Sequence, residues 1–492
     1  MSWLKLENLL YGIEYTELLG STNTYVAGVT GDSRKVRPNN MFFALRGSAC
    51  DGNAFIPQAI KAGASVIVTD NLQQKYDGVT MLVVPDTRIA LAICSKNFYG
   101  DPSNKLALIG ITGTNGKTTV SYLIEHTLLY NSITAGLMGT VENRFADYFC
   151  RSWMTTPESP FINYLLNRAV HDGVKAMVME VSSHGIKQKR IEGLQFDVAV
   201  FTNLSHDHLD YHETYDDYCF CKAQLFGAIK KKDNAGAVIN ADDSKAGYML
   251  EFVQGARLTY GIKNTADMMA KNIRCSKDGT EFILCYGQSE VKVNSPLVGV
   301  HNVYNLLAAI GACVVLGISV EKCVQCIQCF KGVPGRLERI SLQGKPTVYV
   351  DYAHTHDALE HILKTIRSVH TGILHVVMGC GGNRDKTKRA PMGRAASAYA
   401  DTVYITSDNP RSEDPLAIIG DIVKGCENSN YCIIPDRKEA IQTAIGRAQE
   451  NDVVVIAGKG HEQYQLIGAS SFPFDDKKTA QEILCTHEGA VS

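Results

Sequence analysis

Residues 106–119, LALIGITGTNGKTT, constrain this chain more than any other stretch. Leu106 to Ile111 is a short apolar run, the pattern of a buried parallel strand. Gly113, Asn115 and Gly116 then open a tight loop, and Lys117-Thr118-Thr119 leads into VSYLIEHTLL, where apolar residues recur at helical spacing. Strand, glycine loop, Lys-Thr and helix, in that order, make a phosphate-binding loop. Glycines let backbone N–H groups turn onto phosphate oxygens, and the helix start adds its positive dipole end. Lys117 can reach the β/γ-phosphates and the Thr118 hydroxyl suits Mg²⁺. The strict pattern has glycine where Ile111 stands; here the glycines are Gly110 and Gly113. An ordinary glycine-rich turn would not also bring the Lys-Thr pair and the helix. The loop predicts a nucleoside triphosphate held by Gly113, Thr114, Asn115, Gly116, Lys117, Thr118 and Thr119.

At 492 residues the chain has room for two or three domains, and 45% apolar residues supply ample core. A formal charge of −2 gives no general attraction to nucleic acid or membranes. The N-terminus, MSWLKLENLLYGIEY, has no long apolar segment of a secretory signal. The longest uncharged run, from about Asn305 to Val320, suits a buried helix better than a membrane span. Fifteen cysteines without a signal predict reduced thiols and a cytoplasmic setting. Cys323, Cys326 and Cys329 form C-x-x-C-x-x-C, but the fourth cysteine and proline of an iron–sulfur run do not follow. Helical spacing predicts all three near one face, as core thiols.

Residues 1–104 have the strand-like runs MFFALRG, ASVIVTD and TMLVVPD, with helical IPQAIKAG and IALAICSKNFYG, and end in the turn cluster DPSN. Residues 105–335 carry the phosphate loop and two further strands, Lys175–Val181 and Asp197–Phe201, each running into a polar motif. GVPGR at 332–336 is the next break. Residues 336–492 hold four more such units, TVYVDYAHT, ILHVVMGCGGNRD, DTVYITSDNPR and DVVVIAGKGHE. Ligands of open α/β sheets bind beyond the carboxyl ends of the strands, so these motifs are the candidate sites. Gly379-Cys380-Gly381-Gly382 starts like a dinucleotide fingerprint, but Arg384 replaces its third glycine, and NAD is not expected.

Glu180 ends one strand, and His206-Asp207-His208-Leu209-Asp210-Tyr211-His212 follows another. With Thr118, one carboxylate and one histidine, this is an oxygen-rich set suited to Mg²⁺. A dinuclear zinc site would have H-x-H-x-D-H; here the last histidine falls one residue late, and a phosphate loop upstream is foreign to such an enzyme. Lys222, in YDDYCFCKAQLF, reads by composition as a solvated lysine. Arg384, Asp385, Lys386, Lys388 and Arg389 form a charge run, ordinarily a solvated face. At strand ends, this run and Asp408-Asn409-Pro410-Arg411 can instead grip a carboxylate or zwitterion, with Asn-Pro setting a turn that aims Arg411.

Together GITGTNGKTT, MTTP, EVSSHG, FTNLSHDHLDYH, GVHNVYNLLAA, GVPGRLE, DYAHT, GCGGNRDKTKR, TSDNPR and AGKGHE resemble the Mur ligase family over nearly the whole chain. The resemblance implies an α/β protein of three domains: a small N-terminal α/β domain for the UDP-substrate (1–104), a central P-loop ATPase-like domain for ATP (105–335) and a C-terminal Rossmann-like domain for the incoming amino acid (336–492). In the family D-N-P-R is associated with meso-2,6-diaminopimelate. The implied reaction is ATP-dependent addition of that amino acid to the D-glutamate γ-carboxyl of UDP-N-acetylmuramoyl-L-alanyl-D-glutamate, through an acyl phosphate, in cytoplasmic peptidoglycan precursor synthesis.

Carried over by motif, Lys117, Thr118, Glu180 and His208 bind phosphates and Mg²⁺. Lys222 matches a lysine carbamylated by CO₂, an N6-carboxylysine that binds metal; a partly desolvated amine is expected there. Lys117, Glu180, His208 and Lys222 form the implied catalytic set. Ser33, Ser48, Thr155, Thr156, Ser182, Gln188 and Arg190 match the UDP-substrate site, and Asn302 and Asn305 the adenine side. Arg384, Asp408, Asn409, Pro410, Arg411, Gly458 and Glu462 match the diaminopimelate site, Arg411 for its far carboxylate and Glu462 for its far ammonium. The partners implied are these small molecules, with no nucleic acid, no membrane insertion and a monomeric chain. One departure stands out: His356 follows DYAHT where relatives commonly have proline. Two rivals lack support: no N-K-x-D motif marks a guanine site, and a folate-polyglutamate ligase is expected to lack D-N-P-R and G-K-G-H-E.

Overall fold

The computed structural model describes residues 3–47, 50–72, 74–205 and 211–486. The chain forms two compact units. One comprises Met1–Ala270, Leu284–Val291 and Tyr304–Cys326, the other Lys271–Ile283, Lys292–Val303 and Ile327–Ser492.

In the first unit, the N-terminal segment folds on a five-stranded sheet. Its order is Glu17–Leu19, Thr80–Val83, Val66–Thr69, Asn40–Phe43, Gly28–Thr30, parallel except at the first edge. The three expected strands are present; the short edge strands carry too few apolar residues to signal themselves. Helix Thr87–Phe98 starts at Asp86, whose carboxylate accepts from Arg88 N and Ile89 N.

The largest sheet is eleven-stranded. Its first eight strands run Tyr148–Arg151, Glu142–Phe145, Ala135–Met138, Ala176–Glu180, Ala107–Thr112, Val198–Phe201, Gly236–Asn240, Ala256–Gly261, and those from Ala135–Met138 onward are parallel. Burial on both faces explains the unbroken apolar runs ALIGIT and AMVME. Register then sets the site: Glu180 pairs with Ile111, and Phe201 with Thr112. Each motif after these strands therefore leaves the sheet beside the phosphate loop.

The uncharged run forms the second half of helix Val300–Val315 and its exit turn. Cys323 and Cys326 are buried on helix Val320–Ile327, as expected, but Cys329 is exposed. The helix ends before it, so the three do not share a face. All fifteen cysteines are free thiols.

The second unit contains a six-stranded sheet in the order Glu338–Ile340, Thr347–Asp351, Val453–Ala457, Leu374–Met378, Thr402–Ile405, Tyr431–Ile433, parallel apart from the first edge. Alternate residues of one strand enter opposite cores, Val453 and Val455 on one face, Val454 and Ile456 on the other. All four predicted strands are present. His356 is the first residue of helix His356–Val369, capped by Thr355. Proline is favoured at this position because its missing N–H has no helical partner there. Histidine takes the same place without disturbing the cap. The charge run is not wholly solvated: Arg389 is buried and bonded to Glu413 and Asp421.

Candidate active site

The phosphate loop is clamped by the residues that leave the neighbouring strand. Thr114 N donates to Asn203 O (2.8 Å), and Asn115 N to Asn203 Oδ1 (3.0 Å). Thr202 Oγ1 and Asn203 Nδ2 both donate to Asn115 O, at 2.6 and 3.0 Å. A Cβ on Gly113 (φ +146°) would lie 1.9 Å from Thr202 Oγ1, and one on Gly116 (φ +87°) 2.4 Å from Asn305 Oδ1. The clamp thus closes only around glycine. Gly116 is also the N-cap of helix Lys117–Tyr130 and brings no capping side chain, which leaves the first-turn N–H groups to an anion.

Two lysines meet at this loop. Lys117 Nζ donates to Gly113 O and Thr114 O, both at 2.8 Å. Lys222 Nζ, from helix Tyr215–Gly227, donates to Gly113 O at 3.0 Å and lies 4.5 Å from the centre of the Tyr218 ring. Lys222 is only 1% exposed, so the solvated lysine suggested by composition is corrected. It lies one turn along the helix from Tyr218, whose hydroxyl bonds Thr114 Oγ1 (3.1 Å). An exposed face could not be inferred from a helix whose apolar residues surround it.

Glu180 is equally buried. Its Oε2 accepts from Thr118 Oγ1 and Thr140 Oγ1, each at 3.0 Å, and its Oε1 from Thr140 N at 2.8 Å. A Cβ on Gly139 would stand 2.3 Å from Oε1. A hydroxyl and a carboxylate converge here, both hard oxygen donors, and the set fits Mg²⁺. His208 and Ser48 lie outside the described residues. His212 is buried, with Nδ1 on Asp217 Oδ2 at 3.0 Å. Burial pulls its pKa below the ordinary value against the opposing pull of Asp217.

Five of the seven residues assigned to the UDP-substrate form one cluster beside Glu180. Thr155 Oγ1 bonds Thr140 Oγ1 (3.0 Å), and Thr156 Oγ1 bonds Glu180 O (2.9 Å) and Ser182 Oγ (3.1 Å). Arg190 donates to Thr156 O (2.7 Å) and Gln188 Oε1 (2.6 Å) and pairs with Glu158 at 3.0 Å. Burial works against the Arg190 charge, Glu158 supports it, and Arg88 of the N-terminal segment opposes it. Ser33 is not in this group; its hydroxyl meets Gln58 at 3.5 Å. Asn305 packs on Gly116, and Asn302 bonds Val298 O at 2.9 Å.

The second unit gathers the remaining predicted residues. Arg411 has φ +53°, a costly conformation for a side chain with a Cβ. It is pinned there by Arg411 N on Leu466 O (3.0 Å) and Gly468 N on Arg411 O (2.7 Å). Its Nη1 donates to Gly382 O (2.8 Å). Asn409 Nδ2 donates to Glu462 Oε2 (2.9 Å). Gly458 (φ +114°) closes against Asp408, since a Cβ there would be 2.7 Å from Asp408 Oδ2. Pro410 abuts Gly382, where a Cβ would meet its carbonyl at 1.9 Å, and the exposed Arg384 lies by Gly381.

The description Mur ligase middle domain matches residues 111–313, Mur ligase, glutamate ligase domain residues 335–460, and Mur ligase family, catalytic domain residues 25–99. A UDP-N-acetylmuramoyl-L-alanyl-D-glutamate–2,6-diaminopimelate ligase of Caldanaerobacter subterraneus subsp. tengcongensis is 42% identical over 99% of this chain and 100% of its own. The chain belongs to the Mur ligase family. A relative of the same name from Geobacillus thermodenitrificans is 43% identical over 97% of this chain and 99% of its own. A solved structure of a ligase so named superposes with a TM-score of 0.73 at 34% identity, covering 99% of this chain and 100% of that one. The MurF ligase of Thermotoga maritima in complex with ADP shares the fold, with a TM-score of 0.63 at 19% identity, over 93% and 96% of the two chains. As a Mur ligase the chain is an ATP-dependent ligase of three family domains, and the family's metal is Mg²⁺. No described helix is long and apolar enough to cross a membrane.

Sequence reasoning passed over several members of this Mur ligase site. Thr202 and Asn203 stood in FTNLSH, and Lys459 in AGKGHE, without a role. Gly139 and Thr140 were signalled only by following the apolar strand AGLM. Tyr218 has no local signal; only the packing reveals it.

Proposed function

We propose that this Mur ligase joins meso-2,6-diaminopimelate to the D-glutamate γ-carboxyl of UDP-N-acetylmuramoyl-L-alanyl-D-glutamate, as a cytoplasmic monomer. Residues 1–104 and the cluster Thr155, Thr156, Ser182, Gln188 and Arg190 take the UDP-substrate, with Ser33 and Ser48 at the uridine end. Residues 105–335 take ATP and 336–492 the amino acid. The observation that carries the amino-acid assignment is the charge arrangement of Arg411, Asn409 and Glu462: a guanidinium suited to a carboxylate, near a carboxylate suited to an ammonium.

A carboxylate resists amine attack until it carries a leaving group. The γ-phosphoryl group of ATP passes to the γ-carboxylate, giving an acyl phosphate and ADP. The loop amides and Lys117 hold the phosphates, and Asn302 and Asn305 face the adenine. Thr118, Glu180, His208 and Lys222 would hold the metal, Lys222 as the carbamate formed when its neutral amine adds CO₂ and loses a proton. Mg²⁺ when bound neutralises charge on the transferring group. The amine of diaminopimelate, held by Arg384, Asp408, Asn409, Pro410, Arg411, Gly458 and Glu462, attacks the acyl carbon, and phosphate leaves from the tetrahedral intermediate. Holding amine and acyl phosphate together can supply roughly 7–11 kcal/mol of the barrier.

The test is phosphate release from ATP and Mg²⁺ with the UDP-muramoyl-dipeptide, in parallel with meso-diaminopimelate or L-lysine. Release that requires the dipeptide and diaminopimelate supports the reading. Release with lysine alone overturns the amino-acid assignment, and none with either overturns the substrate.

A further inference from the structure

Behind the amino-acid site lies a cation that no motif assignment used. Lys459 is fully buried, between Gly458 (φ +114°) and Gly460 (φ +54°). Neither glycine can gain a side chain: a Cβ on Gly458 would meet Asp408 Oδ2 at 2.7 Å, and one on Gly460 the Tyr352 Cβ at 2.8 Å. Two successive left-handed turns therefore fix where Lys459 stands. Its Nζ donates to Asn409 Oδ1 (3.1 Å) and to Glu462 Oε2 (3.2 Å).

This bond pattern decides the orientation of Asn409. Its Oδ1 faces two donors, Lys459 Nζ and Leu466 N (2.9 Å), so its Nδ2 must point the other way, to Glu462 Oε2 at 2.9 Å. Glu462 thus receives both bonds on Oε2, and neither of them uses Oε1. Taking a lysine ammonium out of water is costly unless it is paired and hydrogen-bonded. A mere packing position is better filled by an apolar side chain.

We infer that Lys459 is a positioning residue that sets how the site recognises the distal ammonium of the amino-acid substrate, by fixing Asn409 and holding the Glu462 side chain through Oε2. This rests on the proposed diaminopimelate reaction. The residue does not touch substrate; it acts through Glu462.

The test compares meso-diaminopimelate with L-2-aminopimelate, which keeps the reacting amine and far carboxylate but lacks the distal ammonium. Lys459→Met should lower kcat/KM for diaminopimelate by roughly ten- to hundredfold, the size of a lost buried charge-assisted bond. It should do so mainly through KM, leave KM for ATP unchanged, and change aminopimelate use little. In a Glu462→Gln background the same substitution should add almost nothing, since both changes remove one interaction. Equal losses for both amino acids, or full additivity with Glu462→Gln, would overturn the inference. If Lys459→Met does not fold, Lys459→Gln, which keeps a donor without the charge, is read the same way. Failure of the reaction proposal is separate, because the unsubstituted enzyme would then not use diaminopimelate at all.

Discussion

Lys117 and Lys222 place their ammonium nitrogens on one atom: the Gly113 carbonyl oxygen accepts from both, at 2.8 and 3.0 Å. One lysine belongs to the loop, and the other arrives from a helix about a hundred residues later. Converting Lys222 to a carbamate would replace a pair of like charges by a pair of opposite ones. Lys222→Ala should therefore lower kcat by roughly a hundred- to a thousandfold, the cost of losing a preorganised charge at a transition state. Small carboxylates such as formate should restore part of it. Phosphate release measured with and without formate checks this, and absence of rescue argues against the carbamate.

Gly139→Ala probes the bed of Glu180. The added Cβ would stand 2.3 Å from Oε1, displacing the carboxylate from Thr118 and Thr140. Activity should fall, with half-saturation shifted to higher Mg²⁺, while the far-ultraviolet circular dichroism stays unchanged. Unchanged Mg²⁺ dependence would show that Glu180 does not serve the metal.

Arg411→Ala should raise KM for diaminopimelate by roughly ten- to a hundredfold, as for a lost charge-assisted pair, and leave KM for ATP alone. Arg411→Lys should recover only part, because an ammonium cannot form the two parallel bonds of a guanidinium. Steady-state kinetics against each substrate separates this from a purely structural loss, which would move both constants.

Arg437 and Asp476 form a fully buried bidentate pair, with Nε and Nη2 each 2.8 Å from a carboxylate oxygen, and Nη2 also bonds Ala457 O. Asp476→Asn should cost about 3–5 kcal/mol, because it leaves a buried guanidinium unbalanced. Replacing both by Met and Leu should cost less than the single change. Denaturant unfolding of the two variants decides between them.

Burial, with Arg336 nearby, lowers the pKa of His461 from 6.5 to about 4. The unfolded chain then binds a proton that the folded chain refuses. This stability is fully present above pH 6.5 and lost as pH falls towards 4. His461→Gln should flatten the acid limb of the melting temperature between those limits. An unchanged slope would assign the acid sensitivity to other groups.

The phosphate loop was legible because it is local. Strand, glycines, Lys117-Thr118 and the start of the helix lie within fourteen consecutive positions, 106–119, and each element signals itself by period or turn chemistry. The predicted parallel strands were legible for a similar reason: burial on both faces demands unbroken apolar runs such as VVVIA. The edge strands Glu17–Leu19 and Tyr431–Ile433 were not, since a short edge needs little apolar surface.

What the sequence by itself determined was the α/β class, the candidate residues at the strand ends and the family those motifs resemble. Only the tertiary structure decided which of those residues meet. Register placed Glu180 beside Ile111 and the exit of Phe201 beside Thr112, and from that follow the clamp of Asn203 on the loop and the hold of Thr118 and Thr140 on Glu180. Burial turned Lys222 and Lys459 from ordinary surface residue types into enclosed charges. The physical reason is that hydrogen bonds and desolvation act through distance in space. A one-dimensional pattern records the chemistry each residue offers, and the packed sheet decides what that chemistry faces.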